Sequence, residues 1–145
     1  MRKLGTCAGM VALLGAGVLT AAQKPASGRT TTYDVAITVE GQPHTGTMVL
    51  AVAGSKVSGS MNIKRPGEIT GKVAGVVKSG EMLLDFPYHM VERKCDGDIR
   101  MTVKLPEKKA AGAKASGAVS IGGCGRPLDA RLPGTIELTP ATTKK

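Results

Sequence analysis

Hydrophobic and polar residues alternate with a period of two along most of the chain, from about residue 31 to residue 139. The clearest run is 97–105, where Ile99, Met101 and Val103 are separated by charged or hydroxyl-bearing residues. Successive side chains of a β-strand point to opposite faces, so this pattern predicts strands with one buried and one solvated face.

Eight such runs follow one another, and the pattern contains no convincing amphipathic helix. The runs cover about 31–40, 46–53, 56–64, 69–78, 81–86, 97–105, 115–121 and 135–139. Most are joined by short segments rich in Gly and Pro, which is typical of an antiparallel meander. The sequence therefore predicts an all-β, single-domain protein whose eight strands close into a small barrel and so leave no exposed edge.

A two-sheet β-sandwich is the alternative fold. The chain contains no Trp to pack on a disulfide, as in immunoglobulin domains, and its short connections leave little room for long crossings. The barrel is therefore favoured. In size and strand number alone it resembles lipocalins and avidins, but their tryptophan-based ligand contacts have no counterpart here.

Local signals set the expected strand ends. Residues 41–44, which include His44, are expected to form a turn, and Pro87 is expected to end or bend the fifth strand because it lacks a backbone donor. The segment 126–133 is irregular.

The first 22 residues have the layout of a secretory signal peptide. A basic start at Arg2 and Lys3 precedes an apolar run, and Thr20, Ala21 and Ala22 provide the small residues expected before a cleavage site. We expect cleavage after Ala22, a flexible tether over 23–30, the barrel over 31–139 and a disordered tail over 140–145. The protein is accordingly expected in the periplasm or outside the cell.

Loss of this segment removes Cys7 and leaves Cys95 and Cys124. Two cysteines in an oxidising compartment are expected to pair, and the absence of Cys-x-x-Cys spacing argues against a redox couple. Closing a loop of about 30 residues contributes roughly 3 to 4 kcal/mol in the chain-entropy model.

Composition restricts the partners. The chain carries 20 Lys and Arg against 11 Asp and Glu, but only two Tyr, one Phe and no Trp. Single-stranded nucleic acids need aromatic platforms as well as positive charge, so no nucleic-acid partner is expected. Three aromatic residues cannot build the girdles of an outer-membrane barrel, so stable membrane insertion of the mature chain is not expected either. The sequence makes no prediction of oligomeric state.

No motif for catalysis or for a cofactor is present. The chain has no serine elbow, phosphate loop or metal-ligand spacing, and Asp96-Gly97-Asp98 lacks the later ligands of a calcium loop. We therefore expect no enzyme activity and no cofactor. The segment 85–90 is the one site-like cluster, since it combines Phe86, Tyr88 and His89.

The inward positions suggest a candidate ligand site. Methionine packs cores and also lines adaptable apolar pockets, and the inward glycines 59, 71, 75, 97 and 117 either allow strand curvature or clear room for a ligand. The residues predicted to bind such a ligand are Tyr33, Met48, Met61, Met82, Phe86, Tyr88, His89 and Met101.

Two functions follow as hypotheses. The first is an exported, non-enzymatic barrel that binds a small apolar ligand through one end. The second is a protein-interaction module, an inhibitor or adaptor of an envelope protein, that uses the loops 87–95 and 126–133.

Overall fold

Eight antiparallel strands form a closed barrel in the computed structural model, which describes residues 28–64, 67–106, 112–127 and 129–141. The strands are β1 (Arg29–Val39), β2 (Gln42–Ala53), β3 (Lys56–Ile63), β4 (Ile69–Lys78), β5 (Glu81–Met90), β6 (Cys95–Lys104), β7 (Ala115–Gly123) and β8 (Leu132–Pro140). Each strand pairs with the next, and β8 pairs back with β1 over Tyr33↔Pro140 to Val39↔Gly134. The predicted eight-stranded barrel is confirmed.

The predicted leader, 1–22, lies outside the described residues, as do residues 23–27 of the tether and 142–145 of the tail. At the barrel boundaries the structure differs slightly from the prediction, because Arg29 and Thr30 begin β1 and Pro140 ends β8. The described part of the chain contains no helix that is both long and apolar enough to cross a membrane.

The alternating pattern places one set of side chains in a single apolar interior. Phe86, Met48, Leu50, Val103 and Leu138 are almost completely buried, and no polar or charged residue is buried among the described residues. Full burial of each large apolar side chain contributes about 1.5 to 3 kcal/mol. The predicted inward face is the core of the barrel.

Two-residue hairpin turns fix the register of several strands. Glu40 and Gly41 have φ values of 50° and 77°, and Ser79 and Gly80 have 52° and 80°. Positive φ at both central residues matches the right-handed twist of paired strands. The turn predicted over 41–44 is therefore wrong in extent, because Gln42 to His44 already belong to β2 and pair with Val39 to Ile37.

The fifth strand continues past Pro87, contrary to the expected break. Pro87 pairs with Asp98 of β6, and β5 ends only at Met90. The regular pairing of β5 with β4 runs only from Lys78↔Glu81 to Ala74↔Asp85, so Pro87 lies beyond its end. A residue without a backbone donor is tolerated where the regular ladder has ended.

Two inward glycines illustrate how the strands curl. A Cβ atom on Gly71 would lie 2.9 Å from Cε2 of Phe86 and 2.9 Å from the carbonyl oxygen of Pro87, and a Cβ on Gly97 would overlap the ring of Tyr88. The space above both glycines is filled by aromatic side chains of β5. These positions serve close packing and curvature, and they do not clear room for a ligand.

The two ends of the barrel differ. The lower end carries the β2–β3, β4–β5 and β6–β7 connections, and half-buried Tyr33, Val52, Val77 and Leu105 pack there against the core. The open end carries the β1–β2, β3–β4, β5–β6 and β7–β8 connections. Here the half-buried apolar residues are Met90, Ile121, Cys124 and Leu132.

Substitutions in β5 test the facing of its residues. Phe86→Ala is expected to lower the free energy of unfolding by about 3 to 5 kcal/mol, because Phe86 is fully buried and its loss leaves a cavity. Leu83→Ala is the matched control on the same strand, since Leu83 is 40% exposed, and should change stability by less than about 0.5 kcal/mol. Urea unfolding followed by far-UV circular dichroism measures both, and similar effects of the two variants would contradict the assigned facing.

Candidate functional site

A cleft of about 760 Å³ opens at the open end of the barrel. It lies between the four connections of that end and continues inward along the strands. Its volume is in the range of small-molecule sites, which usually span about 300 to 1,000 Å³. The closed sheet makes this possible, because an even number of hairpin-connected strands places alternate connections at the same end.

Apolar side chains form the floor of the cleft. They belong to inward-facing residues of the strands, namely Ile37, Val39, Ile63, Ile69, Ile99 and Ile121. β-Branched side chains are stiff and suit a pleated surface, so the floor is shaped by the strands that carry it. Met90 and Leu132 add half-buried apolar surface above this floor.

The rim of the cleft is polar and carries both signs of charge. The β1–β2 turn contributes Glu40 and is followed by Gln42. The β5–β6 turn contributes Glu92 and Arg93, and the β7–β8 connection contributes Arg126. An apolar floor under a polar rim is the usual composition of a small-ligand site, in which a few polar groups orient the ligand.

Tyr88 provides a polar group inside the cleft wall. Its ring packs over Gly97, its register partner on β6, and its hydroxyl donates a long hydrogen bond of 3.4 Å to the carbonyl oxygen of Gly122. Burial raises the pKa of the Tyr88 phenol, and the nearby charge of Asp98 raises it further. The phenol is therefore a neutral hydrogen-bond donor at neutral pH.

A disulfide holds the wall together beside Tyr88. Cys95, the first residue of β6, and Cys124, just beyond β7, are joined with an S–S distance of 2.07 Å and a Cα–Cα distance of 4.8 Å. The backbone N–H of Cys124 also donates to the carbonyl oxygen of Asp96 at 2.9 Å. The structure thus brings together the two cysteines that were predicted to pair, and it places them at the cleft.

Arg131 fixes the β7–β8 connection on the outer surface. Its guanidinium donates to both carboxylate oxygens of Asp98, at 3.0 and 2.7 Å, and to the hydroxyl and carbonyl oxygens of Ser120, each at 2.7 Å. The glycine at position 122 leaves room for this side chain, since a Cβ there would lie 2.6 Å from Nη1 of Arg131. A two-pronged contact of this kind gives geometric specificity as well as energy.

The same contact sets the ionisation of Asp98. The hydrogen bond from Arg131 is the largest cause that lowers the pKa of the Asp98 carboxyl, partly opposed by burial, and the charges of Arg131 and Arg100 lower it further. The Arg131 pKa is raised by the same hydrogen bond. Asp98 therefore stays ionised and anchors the loop through neutral and mildly acidic pH. Both carboxylates of the Asp96-Gly97-Asp98 sequence thus have partners within the protein: Asp98 binds Arg131, and Asp96 pairs with His89.

The residues that were predicted to bind a ligand lie in different parts of the barrel. Tyr88 lines the cleft. Five others are buried in the core below it, with exposures of 2% or less: Met48, Met61, Met82, Phe86 and Met101. Tyr33 is half-buried toward the lower end, since it pairs with Met48 and Pro140.

His89 faces away from the cleft on the outside of β5. Its Nδ1 lies 2.7 Å from Oδ1 of Asp96, its register partner on β6, and its side chain is more than half exposed. His44 instead lines the cleft from β2. No group of three or more potential metal ligands occurs among the described residues.

Sequence reasoning missed the isoleucine floor. The period of two places Ile37, Ile63, Ile69 and Ile99 on the inward face but does not distinguish them from the rest of the core. The signal that could have singled out Ile37, Ile63 and Ile69 is their position within three residues of a strand end, since in a meander these ends meet at one mouth of the barrel. Arg93 and Arg126 lacked such a signal, because their proximity depends on how the loops fold.

No family model, no curated protein and no solved structure matches this chain. The functional argument therefore rests on the geometry of the cleft.

The anchor of the β7–β8 connection predicts a pH-dependent stability. Asp98→Asn is expected to lower the free energy of unfolding at pH 7 by about 1 kcal/mol, since a charge-assisted hydrogen bond is lost at a partly exposed site. Because the folded-state pKa of Asp98 is lowered, its stabilisation is present above its ordinary pKa of about 3.9 and is lost as the pH falls through the folded value. Urea unfolding at pH 7, 5 and 3 should show the difference between the two proteins shrinking at the lowest pH.

The matched control is Asp85→Asn. Asp85 is mostly exposed and lies 3.8 Å from Nε of Arg100, so its replacement should have little effect at any pH. A deficit of Asp98→Asn that remained constant down to pH 3 would contradict the proposed anchor.

Proposed function

We propose that this protein is an exported, non-enzymatic barrel that binds a small apolar ligand in the cleft at its open end. The observation that carries the proposal is the cleft of about 760 Å³ at the open end, which lies above an isoleucine floor and a fully buried core. A cleft at the end of a barrel suits a small ligand that enters from solvent.

The surface of the cleft favours hydrocarbon over polar ligands. Met90, Ile121 and Leu132 are only half-buried and face the cleft, so a ligand that covers them removes apolar surface from water. Each 100 Å² covered in this way contributes roughly 2.5 kcal/mol before the cost of association. Tyr88 and the rim supply the few polar groups needed for orientation.

Binding fits these residues better than catalysis does. The floor is hydrocarbon and Tyr88 is protonated at neutral pH, so both can hold a molecule but neither supplies a nucleophile or a base. His44, Glu40 and Glu92 are titratable groups that also line the cleft. The cluster at 85–90 does not converge on the cleft, because His89 points outward toward Asp96. The disulfide supports a location outside the cytoplasm, since such bonds persist in oxidising compartments.

Filling the cleft tests this function. Ile121→Trp is expected to reduce the binding of a hydrophobic dye such as 1-anilinonaphthalene-8-sulfonate at least about tenfold, because a large ring would occupy the cleft. Ala118→Trp is the matched control, since Ala118 lies on the outer face of the same strand, β7. Fluorescence titration measures both variants, with circular dichroism to confirm folding. Equal dye binding by Ile121→Trp and the unsubstituted protein would place the dye elsewhere and count against the cleft.

A second candidate function is binding of an envelope protein through the open-end loops. It is favoured by Val91 in the β5–β6 turn, which is 76% exposed and stands beside the charged residues Glu92 and Arg93. A partner that docks on the open-end loops would remove this apolar side chain from water.

The two functions are separated by a variant of that turn. If a partner is bound there, Val91→Ser should abolish its retention from a periplasmic extract at low salt, while Val76→Ser, an exposed valine on β4, should retain it. Quantitative affinity capture with mass spectrometry measures this. Retention that is indifferent to Val91, or absent altogether, leaves the small-ligand function as the one supported.

A further inference from the structure

The disulfide joins the two connections that carry the rim arginines. Arg93 lies two residues before Cys95, and Arg126 lies two residues after Cys124. Because the two cysteine Cα atoms are 4.8 Å apart, the β5–β6 turn and the β7–β8 connection are tied together at this point. Two arginines from distant parts of the sequence therefore share one side of the mouth.

The guanidinium groups of Arg93 and Arg126 both influence the Tyr88 phenol. The charges of Arg126 and Arg93 each lower the pKa of the Tyr88 phenol, against the larger effect of burial. Since such an influence falls with distance, both cations lie near the part of the cleft wall where Tyr88 sits. The cleft lining, which contains all three residues, places them there independently.

Arg93 and Arg126 differ from Arg131 in their contacts. Arg131, the third cation near Tyr88, is held by Asp98 and Ser120 on the outer surface. Within the described residues, neither Arg93 nor Arg126 forms a hydrogen bond or an ion pair. A pair of unpaired guanidinium groups above an apolar floor is suited to an anionic group, which arginine binds through two parallel hydrogen bonds.

The rim carboxylates lie on the other side. Around the mouth the connections follow the order β1–β2, β3–β4, β5–β6 and β7–β8. Glu40 belongs to the first, and Oε2 of Glu92 points toward the second, 3.8 Å from the position a Cβ would take on Gly67. The cations and the carboxylates therefore occupy separate halves of the rim.

We propose that the ligand of this cleft is an amphipathic organic anion, whose apolar body lies on the isoleucine floor and whose carboxylate or similar head group lies between Arg93 and Arg126. This inference rests on the proposed function and names the class of ligand. From the rim at Glu40 to the floor at Ile37 the strand advances three residues, or about 10 Å, which suits a medium-length chain or a ring system.

Three probes that share one alkyl chain test the head group: decanoate, decanol and decyltrimethylammonium. Isothermal titration calorimetry on the disulfide-bonded protein should give the tightest binding for decanoate, about tenfold tighter than for decanol, because a charge-assisted hydrogen bond is added at the rim. The double variant Arg93→Gln, Arg126→Gln should bind decanoate no more tightly than decanol, with decanol binding unchanged.

Arg29→Gln is the matched control, since Arg29 is an exposed guanidinium at the lower-end start of β1. It removes one positive charge, as each of the two rim substitutions does, without approaching the cleft, and should leave the preference for decanoate intact. If Arg29→Gln reduced decanoate binding as much as the loss of one rim arginine does, the effect would be general attraction to a basic surface, and the proposed head-group site would be refuted.

The remaining outcomes separate the two levels of the proposal. Equal binding of decanoate and decanol would overturn the anionic class while leaving the apolar cleft in place. Tightest binding of decyltrimethylammonium would overturn it too, and would assign the head group to Glu40 and Glu92. Binding of none of the three would overturn both this inference and the small-ligand function.

Discussion

The pairing of β8 with β1 is the constraint on which the rest of the structure depends. Seven residue pairs, from Tyr33↔Pro140 to Val39↔Gly134, close the sheet and remove its edges. Closure encloses the inward faces of all eight strands in one interior, so every second residue along a strand faces that interior. It also creates two ends, because in a meander every second connection returns to the same mouth. The cleft lies at one of these two ends.

The core and the cleft arise from the same alternation at different heights in the barrel. Around the middle, Met48, Met61, Met101 and Phe86 are fully buried, and methionine adapts to irregular gaps in a core. At the open end several inward positions carry isoleucine and valine, which are short and stiff, beside Tyr88, Met90 and Leu132. The inward face therefore forms a packed core in the middle of the barrel and the wall of a cleft at the open end.

The fold was predictable from the sequence because it depends on a local, repeated signal. The period of two identified all eight strands, and the absence of Trp with short connections favoured the barrel over the sandwich. Errors occurred where one residue type was given too much weight. Pro87 was expected to end or bend a strand, yet it lies beyond the end of the regular β4–β5 pairing and β5 continues to Met90. His44 was assigned to a turn, yet the turn consists of Glu40 and Gly41, and β2 begins at Gln42.

The site was less predictable because it depends on which strand ends meet. Tyr88 was selected for its chemistry and does line the cleft, but the methionines were selected as adaptable lining and lie deeper, in the core. The isoleucines of the floor carry no chemical signal of their own. A residue's height along the barrel axis, which the alternation pattern does not encode, decides whether an inward side chain packs the core or faces the cleft.

The charges around the open end show a division of work between two kinds of arginine. Arg131 is neutralised by Asp98 on the outer surface, so its role is to hold the β7–β8 connection in place. Arg126 is carried by that same connection, and the disulfide fixes its base against the turn that carries Arg93. An unpaired charge on a free loop would simply be solvated. Because the connection is anchored on both sides of Arg126, its backbone has less conformational freedom to lose when a ligand binds.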